Sequence, residues 1–101
     1  MASYSIQIKR SAATELAELP TKDRLRVITR IEQLAHDPRP SGAEKLSGQE
    51  RYLVRQGDYR ILYEIRDHEL VVMVVRIGHR RDRRALRDVV GPQRAQKLHH
   101  R

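Results

Sequence analysis

The sequence predicts an α+β fold: a small antiparallel or mixed sheet of about four strands, with an N-terminal helical hairpin on one face. Residues 4–9 alternate apolar and polar side chains, residues 12–35 show helical spacing, and residues 52–84 hold three strand-like runs joined by two tight turns. The predicted order is β-α-α-β-β-β, with a possible C-terminal helix. A chain of 101 residues has room for one domain, which we assign to residues 1–98, and residues 99–101 are a tail that is either native or added by cloning.

Periodicity and helix-ending residues predict the first strand and the helical hairpin. Residues 4–9 have a period of two, as in a strand with one buried face. Ser11 is predicted to cap a short helix over residues 12–19, which ends at Pro20. A second, amphipathic helix starts at Thr21 and stops before the Asp-Pro pair, and its apolar face consists of Leu25, Ile28, Ile31, Leu34 and Ala35.

The second half of the chain predicts a loop followed by three strands. Residues 37–50 contain two prolines and two glycines and are predicted to form a loop, from which Leu46 contacts the core. Residues 52–56 and 59–66 are strands joined by a Gly-Asp turn. Residues 70–77 are apolar on both faces, which predicts a central strand. A C-terminal helix over residues 85–98, interrupted by a Gly-Pro pair, is also expected.

Charge and composition restrict the class of protein. The formal charge of +8 is uneven, with +1 in the first fifty residues and +7 in the rest, and arginine outnumbers lysine seventeen to four. Because the arginine fork suits phosphate, this favours nucleic acid or an acidic protein as partner, although an arginine-rich genome gives the same bias. The chain has no cysteine, no N-terminal signal peptide and no apolar run that spans a bilayer, so we expect a cytoplasmic protein without membrane contact.

Two arginines are predicted to lie on one face of the sheet. Arg60 lies in a largely aromatic and aliphatic strand, where a guanidinium costs desolvation unless an anion or a carboxylate meets it. It is therefore either a phosphate ligand or the ion-pair partner of Glu64, its neighbour on the same face. Arg55 lies across the hairpin turn and is either the second half of an anion site or a solvated edge charge.

A cationic cluster follows the last strand, and it consists of His79, Arg80, Arg81, Asp82, Arg83 and Arg84. Such a cluster does not pack in a core. It is either a solvated segment or a phosphate clamp whose first residues are held near the sheet. His79 is either a proton-transfer group, since histidine titrates near neutral pH, or a hydrogen-bonding loop residue.

The sequence has no metal or cofactor signature, so we expect no cofactor. His36, His68 and His79 are far apart without ligand spacing, and there is neither a glycine-rich phosphate loop nor a nucleophile elbow. Cleavage of RNA without a metal is chemically available, because the substrate's own 2′-hydroxyl can attack the neighbouring phosphate. The protein then has to align the reacting groups, neutralise the phosphorane charge and move protons.

The chain resembles the RelE/ParE superfamily of bacterial and archaeal toxin–antitoxin modules. The resemblance covers about residues 4–86. It is carried by the pattern VRxGDYRILY over residues 54–63, by the Lys-Leu-x-Gly step that begins at Lys45, and by the Gly-His-Arg-Arg-Asp run over residues 78–82. The order and spacing of these motifs, rather than any one of them, make the resemblance specific.

The resemblance implies a small basic toxin. RelE-like members cut mRNA in the ribosomal A site without a metal, and a cognate antitoxin holds them inactive in a hetero-oligomer, whereas ParE-like members share the fold and inhibit DNA gyrase. The family's basic positions carry over to Arg55, Arg60 and Arg80. The predicted catalytic residues are Arg60, Arg80 and His79, and the predicted RNA-binding residues are Arg55, Lys45, Arg51, Arg81, Arg83 and Arg84.

One position departs from the RelE-type pattern. Many RelE-type nucleases have a tyrosine or histidine a few residues after the arginine that corresponds to Arg80, whereas this chain has Arg84 or Leu86 there and no tyrosine beyond Gly78. Three functions stay open: a ribosome-dependent mRNA endoribonuclease, a gyrase inhibitor, and a remnant that only binds its antitoxin. The short first helix argues against the gyrase inhibitor, because ParE-like members tend to have a longer helical hairpin.

Overall fold

The structure, a computed structural model, describes residues 3–46 and 50–81. In chain order its elements are β1 (Ser5–Ile8), α1 (Arg10–Ala17), α2 (Thr21–Leu34), β2 (Glu44–Lys45), β3 (Arg51–Gln56), β4 (Tyr59–Arg66) and β5 (Val71–His79), with a short 3₁₀ turn between the last two strands. The strands form one sheet in the order β1-β5-β4-β3-β2. Both helices pack on the same face of this sheet, so the predicted α+β class and helical hairpin are confirmed.

The sheet is mixed. β1 pairs with β5 in parallel, and every other neighbouring pair is antiparallel. β5 therefore lies between β1 and β4, which confirms the central position that its two apolar faces predict. β2 is a fifth strand that the sequence analysis does not predict, because two charged residues carry no periodicity.

The helix boundaries differ from the prediction only near the first helix. α1 begins and ends two residues earlier than predicted, and Lys9 occupies its N-cap position without a side-chain hydrogen bond. The predicted Ser11 cap is therefore wrong. α2 begins at Thr21 as predicted, with Asp23 in its first turn. The predicted helix over residues 85–98 lies outside the described residues.

Apolar side chains are buried on both faces of the sheet. The main core lies between the sheet and the helices, and its most buried members include Ala12, Val27, Leu34, Val54, Ile61, Tyr63, Val72 and Val74. A smaller cluster of Leu53, Leu62 and Val75 lies on the opposite face, with Leu46 and Met73 packed against it. The prediction that Leu46 packs onto the core is confirmed for this second cluster.

The turn between β3 and β4 positions the chain that leaves β5. Gln56 pairs with Tyr59 across a two-residue loop whose first residue, Gly57, has a φ of +59°. A two-residue hairpin requires such a residue, and glycine adopts this conformation without strain. The main-chain carbonyl of Asp58 accepts a hydrogen bond of 2.6 Å from the N–H of Arg80. The start of the arginine cluster is thus held beside the hairpin.

Helix α1 covers the edge of β5 beyond the end of β1. The pairing of β1 with β5 ends at Val74. Past this point the Glu15 carboxylate accepts the main-chain N–H of Ile77 at 2.8 Å and Arg76 Nε at 2.9 Å. A side chain therefore satisfies an edge that a strand leaves open. Neither described helix has the length and apolar character that crossing a bilayer requires.

Candidate nucleic-acid interface

Arg55 and Arg60 are direct cross-strand neighbours in β3 and β4. Alternation along the strands places them with Leu53 and Leu62 on the face opposite the helices, which we call the distal face. Like charges directly opposite each other in an antiparallel pair are destabilising. The structure thus brings together the two guanidinium groups that the sequence predicts on one face. Binding of an anion between them would relieve their repulsion.

Arg60 has no carboxylate partner among the described residues. Its Nη1 atom is buried and makes no hydrogen bond. The alternative partner considered from the sequence, Glu64, is instead bound by Arg51 at 2.8 Å and by Arg66 at 3.3 Å. A buried donor without an acceptor costs about 1–3 kcal/mol. Arg60 is therefore the side chain of this face that gains most from an incoming oxyanion.

Carboxylates on neighbouring segments hold the two arginines that flank Arg60. Glu44 of β2 lies 3.6 Å from Arg55, and the Asp58 carboxylate lies 3.5 Å from Arg80 Nε. Both pairs are exposed, and exposed pairs contribute only about 0–1 kcal/mol, so a phosphate displaces them at little cost. Sequence reasoning misses both carboxylates, because the pairing of β2 and the approach of residue 80 to the turn leave no local sequence pattern.

The His79 side chain lies on the helix face, away from Arg60. His79 pairs with Tyr59, and the two rings meet edge to face with centroids 5.4 Å apart. Its Nδ1 accepts the main-chain N–H of Arg81 at 3.1 Å. Together with Asp23 and four neighbouring residues, the two rings line a cavity of about 290 Å³. This placement does not support proton transfer by His79 at a phosphate bound to Arg60.

All four tyrosines also belong to the helix face, where they pack in or against the main core. Tyr63 donates a hydrogen bond of 2.7 Å to the carbonyl of Pro38, and burial raises its pKa to about 12. The pKa of Tyr59 is also raised, first by burial and then by Asp23, to which its hydroxyl donates. None of the four tyrosines, nor His79, therefore lies on the distal face.

The remaining predicted RNA-binding residues are dispersed. Lys45 is opposite Tyr52, a helix-face position, and its Nζ lies 3.1 Å from Glu50, whose pKa this hydrogen bond lowers. Arg51 lies on the distal face, but Glu64 neutralises it. Arg81 is exposed next to Arg80. Arg83 and Arg84 lie outside the described residues. The described ranges contain no group of three or more histidine, aspartate or glutamate side chains arranged to hold a metal ion.

Comparison with known families decides the class of the protein. The family model described as ParE toxin of type II toxin-antitoxin system, parDE, matches residues 6–84. The chain belongs to this toxin family. No curated protein matches the toxin.

Solved structures of RelE proteins share the toxin's fold. The RelBE2 toxin–antitoxin complex from Mycobacterium tuberculosis matches with a TM-score of 0.71 at 27% identity, over 81% of this chain and 97% of that chain. A mutant of Escherichia coli toxin RelE in the free state matches with a TM-score of 0.75 at 22% identity, over 89% and 97%. The archaeal RelE–RelB complex from Pyrococcus horikoshii gives 0.69 at 22% identity, over 79% and 98%. Membership of the RelE/ParE superfamily, predicted from the motifs, is confirmed.

Proposed function

We propose that the toxin is a metal-independent, ribosome-dependent mRNA endoribonuclease. The observation that carries this proposal is the Arg60 guanidinium, whose buried Nη1 has no acceptor and whose cross-strand neighbour is Arg55. A phosphodiester oxygen at this pair would receive charge-assisted hydrogen bonds from a rigid sheet. Preorganised donors of this kind stabilise charge that develops in a transition state.

The proposed reaction uses the substrate's own nucleophile. The 2′-oxygen attacks the adjacent phosphorus, the bond to the 5′-oxygen breaks, and the products are a 2′,3′-cyclic phosphate and a 5′-hydroxyl. Arg60 would stabilise the non-bridging oxygens, while Arg55 and Arg80 would orient the strand. Because His79 and the four tyrosines lie on the opposite face of the sheet, we assign these arginines the charge-stabilising and positioning parts of catalysis. The proton is passed from the 2′-hydroxyl to the 5′-oxygen by groups of the ribosome or by water.

Mapping of mRNA 5′ ends in cells that express the toxin tests this proposal. We expect new ends within translated reading frames. Arg60→Gln should lower the cutting rate about 10²–10³-fold, the usual effect of losing one transition-state donor. The matched control is Arg66→Gln, which removes an arginine of the same strand and face that is already paired with Glu64, and it should change the rate by no more than a few-fold. Intact transcripts in growth-arrested cells would rule out the nuclease.

Inhibition of DNA gyrase is the second candidate, and the match to a ParE family model favours it. A gyrase inhibitor needs a complementary protein surface rather than a charge-stabilising arginine. Purified toxin in stoichiometric excess would then block supercoiling by gyrase, and Arg60→Gln would block it equally well. Normal supercoiling in that assay excludes this candidate. Harmless expression at high level, with neither effect, would indicate a remnant that only binds its antitoxin.

We also propose that a cognate antitoxin neutralises the toxin in a cytoplasmic hetero-oligomer. The structural relatives from M. tuberculosis and P. horikoshii are themselves toxin–antitoxin complexes. An acidic partner would complement the charge of +8. Co-expression of the neighbouring reading frame should restore growth, and the two proteins should copurify. Failure to copurify would contradict this part of the proposal and leave the nuclease assay unaffected.

A further inference from the structure

A second cationic groove lies between the outer side of α2 and the end of β3. Its volume is about 250 Å³, and it is lined by Leu25, Arg26, Thr29, Arg30, Gln33 and Gln56. The lining contains two arginines and no carboxylate. Gln56 alternates with Arg55 along β3, so this groove belongs to the helix face and is separate from the Arg55–Arg60 pair.

The arginines of this groove are poorly satisfied. Arg30 Nε is buried without a hydrogen-bond partner, and Arg30 Nη1 makes only a long contact of 3.4 Å with Gln33 Oε1. Neither Arg26 nor Arg30 forms an ion pair within residues 3–46 and 50–81. A buried guanidinium donor of this kind favours an oxyanion. The groove therefore complements a negatively charged group.

The edge of β3 beside the groove has main-chain groups available for pairing. β2 pairs with β3 only at Tyr52 and Leu53. The N–H of Leu46 donates a hydrogen bond to the carbonyl of Arg51. The N–H and C=O groups of Arg51, Leu53 and Arg55 therefore point away from β4, towards this edge of the sheet. Arg55 is the next such residue beyond Leu53, and no described strand pairs with it there. An extended peptide can add to an edge of this kind.

An exposed apolar side chain completes the surface. Leu25 is 57% exposed, the most exposed of the large hydrophobic residues in the described chain. It lines the same groove as the two arginines. A ligand that covers both must therefore carry an aliphatic group close to its negative charge. Single-stranded RNA supplies the charge, but it matches neither the open main-chain edge nor Leu25.

We propose that this groove binds an extended, acidic segment of a partner protein. The segment would pair with the β3 edge at Arg55 and direct alternate side chains towards α2. One of them would bring a carboxylate to Arg26 and Arg30, and another an aliphatic group to Leu25. This inference depends on the proposed function in one respect: the cognate antitoxin is the natural candidate for the partner protein. RNA cleavage plays no part in it.

The test is an NMR titration of the ¹⁵N-labelled full chain at low ionic strength. The probe is a short acetylated peptide in which glutamate alternates with valine, and the control peptide has glutamine in place of glutamate. We expect the acidic peptide to shift the Arg30 Nε–H and Arg55 main-chain N–H resonances and to bind at least about fivefold more tightly than the control. Arg26→Gln and Arg30→Lys should each weaken binding about threefold or more. Lys22→Gln removes a positive charge from α2 outside the groove and should change affinity less than twofold.

Three results with the peptides would overturn the inference. The acidic peptide fails to bind at millimolar concentration, it binds no better than the glutamine peptide, or it binds without shifting Arg30 and Arg55. A short oligouridylate provides the comparison with RNA. If it shifts the same two resonances at lower concentration than the peptide, the groove is a nucleic-acid site instead. None of these results depends on toxicity or on mRNA cleavage, so the inference and the proposed function can fail separately.

Discussion

Replacement of Arg60 by methionine should stabilise the protein while it removes the proposed function. Methionine keeps much of the aliphatic length of arginine and has no donor to satisfy. The buried Nη1 without an acceptor costs about 1–3 kcal/mol, and the opposed charge of Arg55 adds roughly 0.2–1 kcal/mol. Part of this gain is offset by lost aliphatic packing. We expect a net stabilisation of about 1–2 kcal/mol, which raises the thermal midpoint of a domain this size by about 5–10 °C.

The matched control for this prediction is Arg51→Met, the same replacement on the neighbouring strand and the same face. Arg51 is bound to Glu64 at 2.8 Å, so its loss leaves a half-buried carboxylate with only the longer contact of 3.3 Å to Arg66 and should destabilise the protein by about 1–3 kcal/mol. Calorimetry with and without sulfate measures both effects. Sulfate should raise the midpoint of the wild type by more than that of Arg60→Met, because the general stabilising effect of sulfate is common to both proteins and binding at Arg60 is lost in the variant. Destabilisation of Arg60→Met by 1 kcal/mol or more would refute the claim that this arginine lacks a partner.

Three further changes test separate contacts. Glu15→Gln keeps an acceptor for the Ile77 N–H but removes the negative charge that binds Arg76. It should lower the free energy of unfolding, measured in urea, by about 1–2 kcal/mol. An unchanged urea midpoint would contradict this prediction. Asp58→Asn frees Arg80 from its carboxylate and should raise affinity for single-stranded RNA about 2–5-fold at low salt, measured by fluorescence anisotropy; weaker binding would count against the proposed interface. Hydrogen bonds from Arg39 and then from Tyr4 lower the pKa of Asp67, so its stabilisation is present above about pH 4 and is lost as the pH falls through the lowered pKa. In Asp67→Asn, the free energy of unfolding should therefore fall less steeply below about pH 4 than in the wild type. If it falls equally steeply in both proteins, Asp67 does not contribute this stabilisation.

Alternation along the chain was enough to predict most of the sheet. β4 and β5 are long, bounded by turn residues, and rich in β-branched or aromatic side chains, so their period is clear. The glycine turn between β3 and β4 has two residues, and this length sets the register that makes Arg55 and Arg60 neighbours. The predicted pair of anion-binding arginines follows from that short turn.

Contacts that depend on longer-range register could not be predicted from the sequence. Residues four apart in a strand are about 13 Å apart, so Glu64 meets its cross-strand neighbour Arg51 rather than Arg60. His79 pairs with Tyr59 and so lies on the helix face, but a register shift in the β4–β5 pair hides this from simple counting along the chain. Both differences arise from strand pairing, which no local pattern of residue types records.

Mapping of mRNA 5′ ends at nucleotide resolution tests the proposed nuclease most directly, in cells that express either the wild-type toxin or Arg60→Gln. We expect cuts within translated frames for the wild type, and their near-complete loss in Arg60→Gln, which should remain folded. Wild-type toxicity without such cuts, or cutting that persists in Arg60→Gln, would contradict the assignment of the distal-face arginines to RNA.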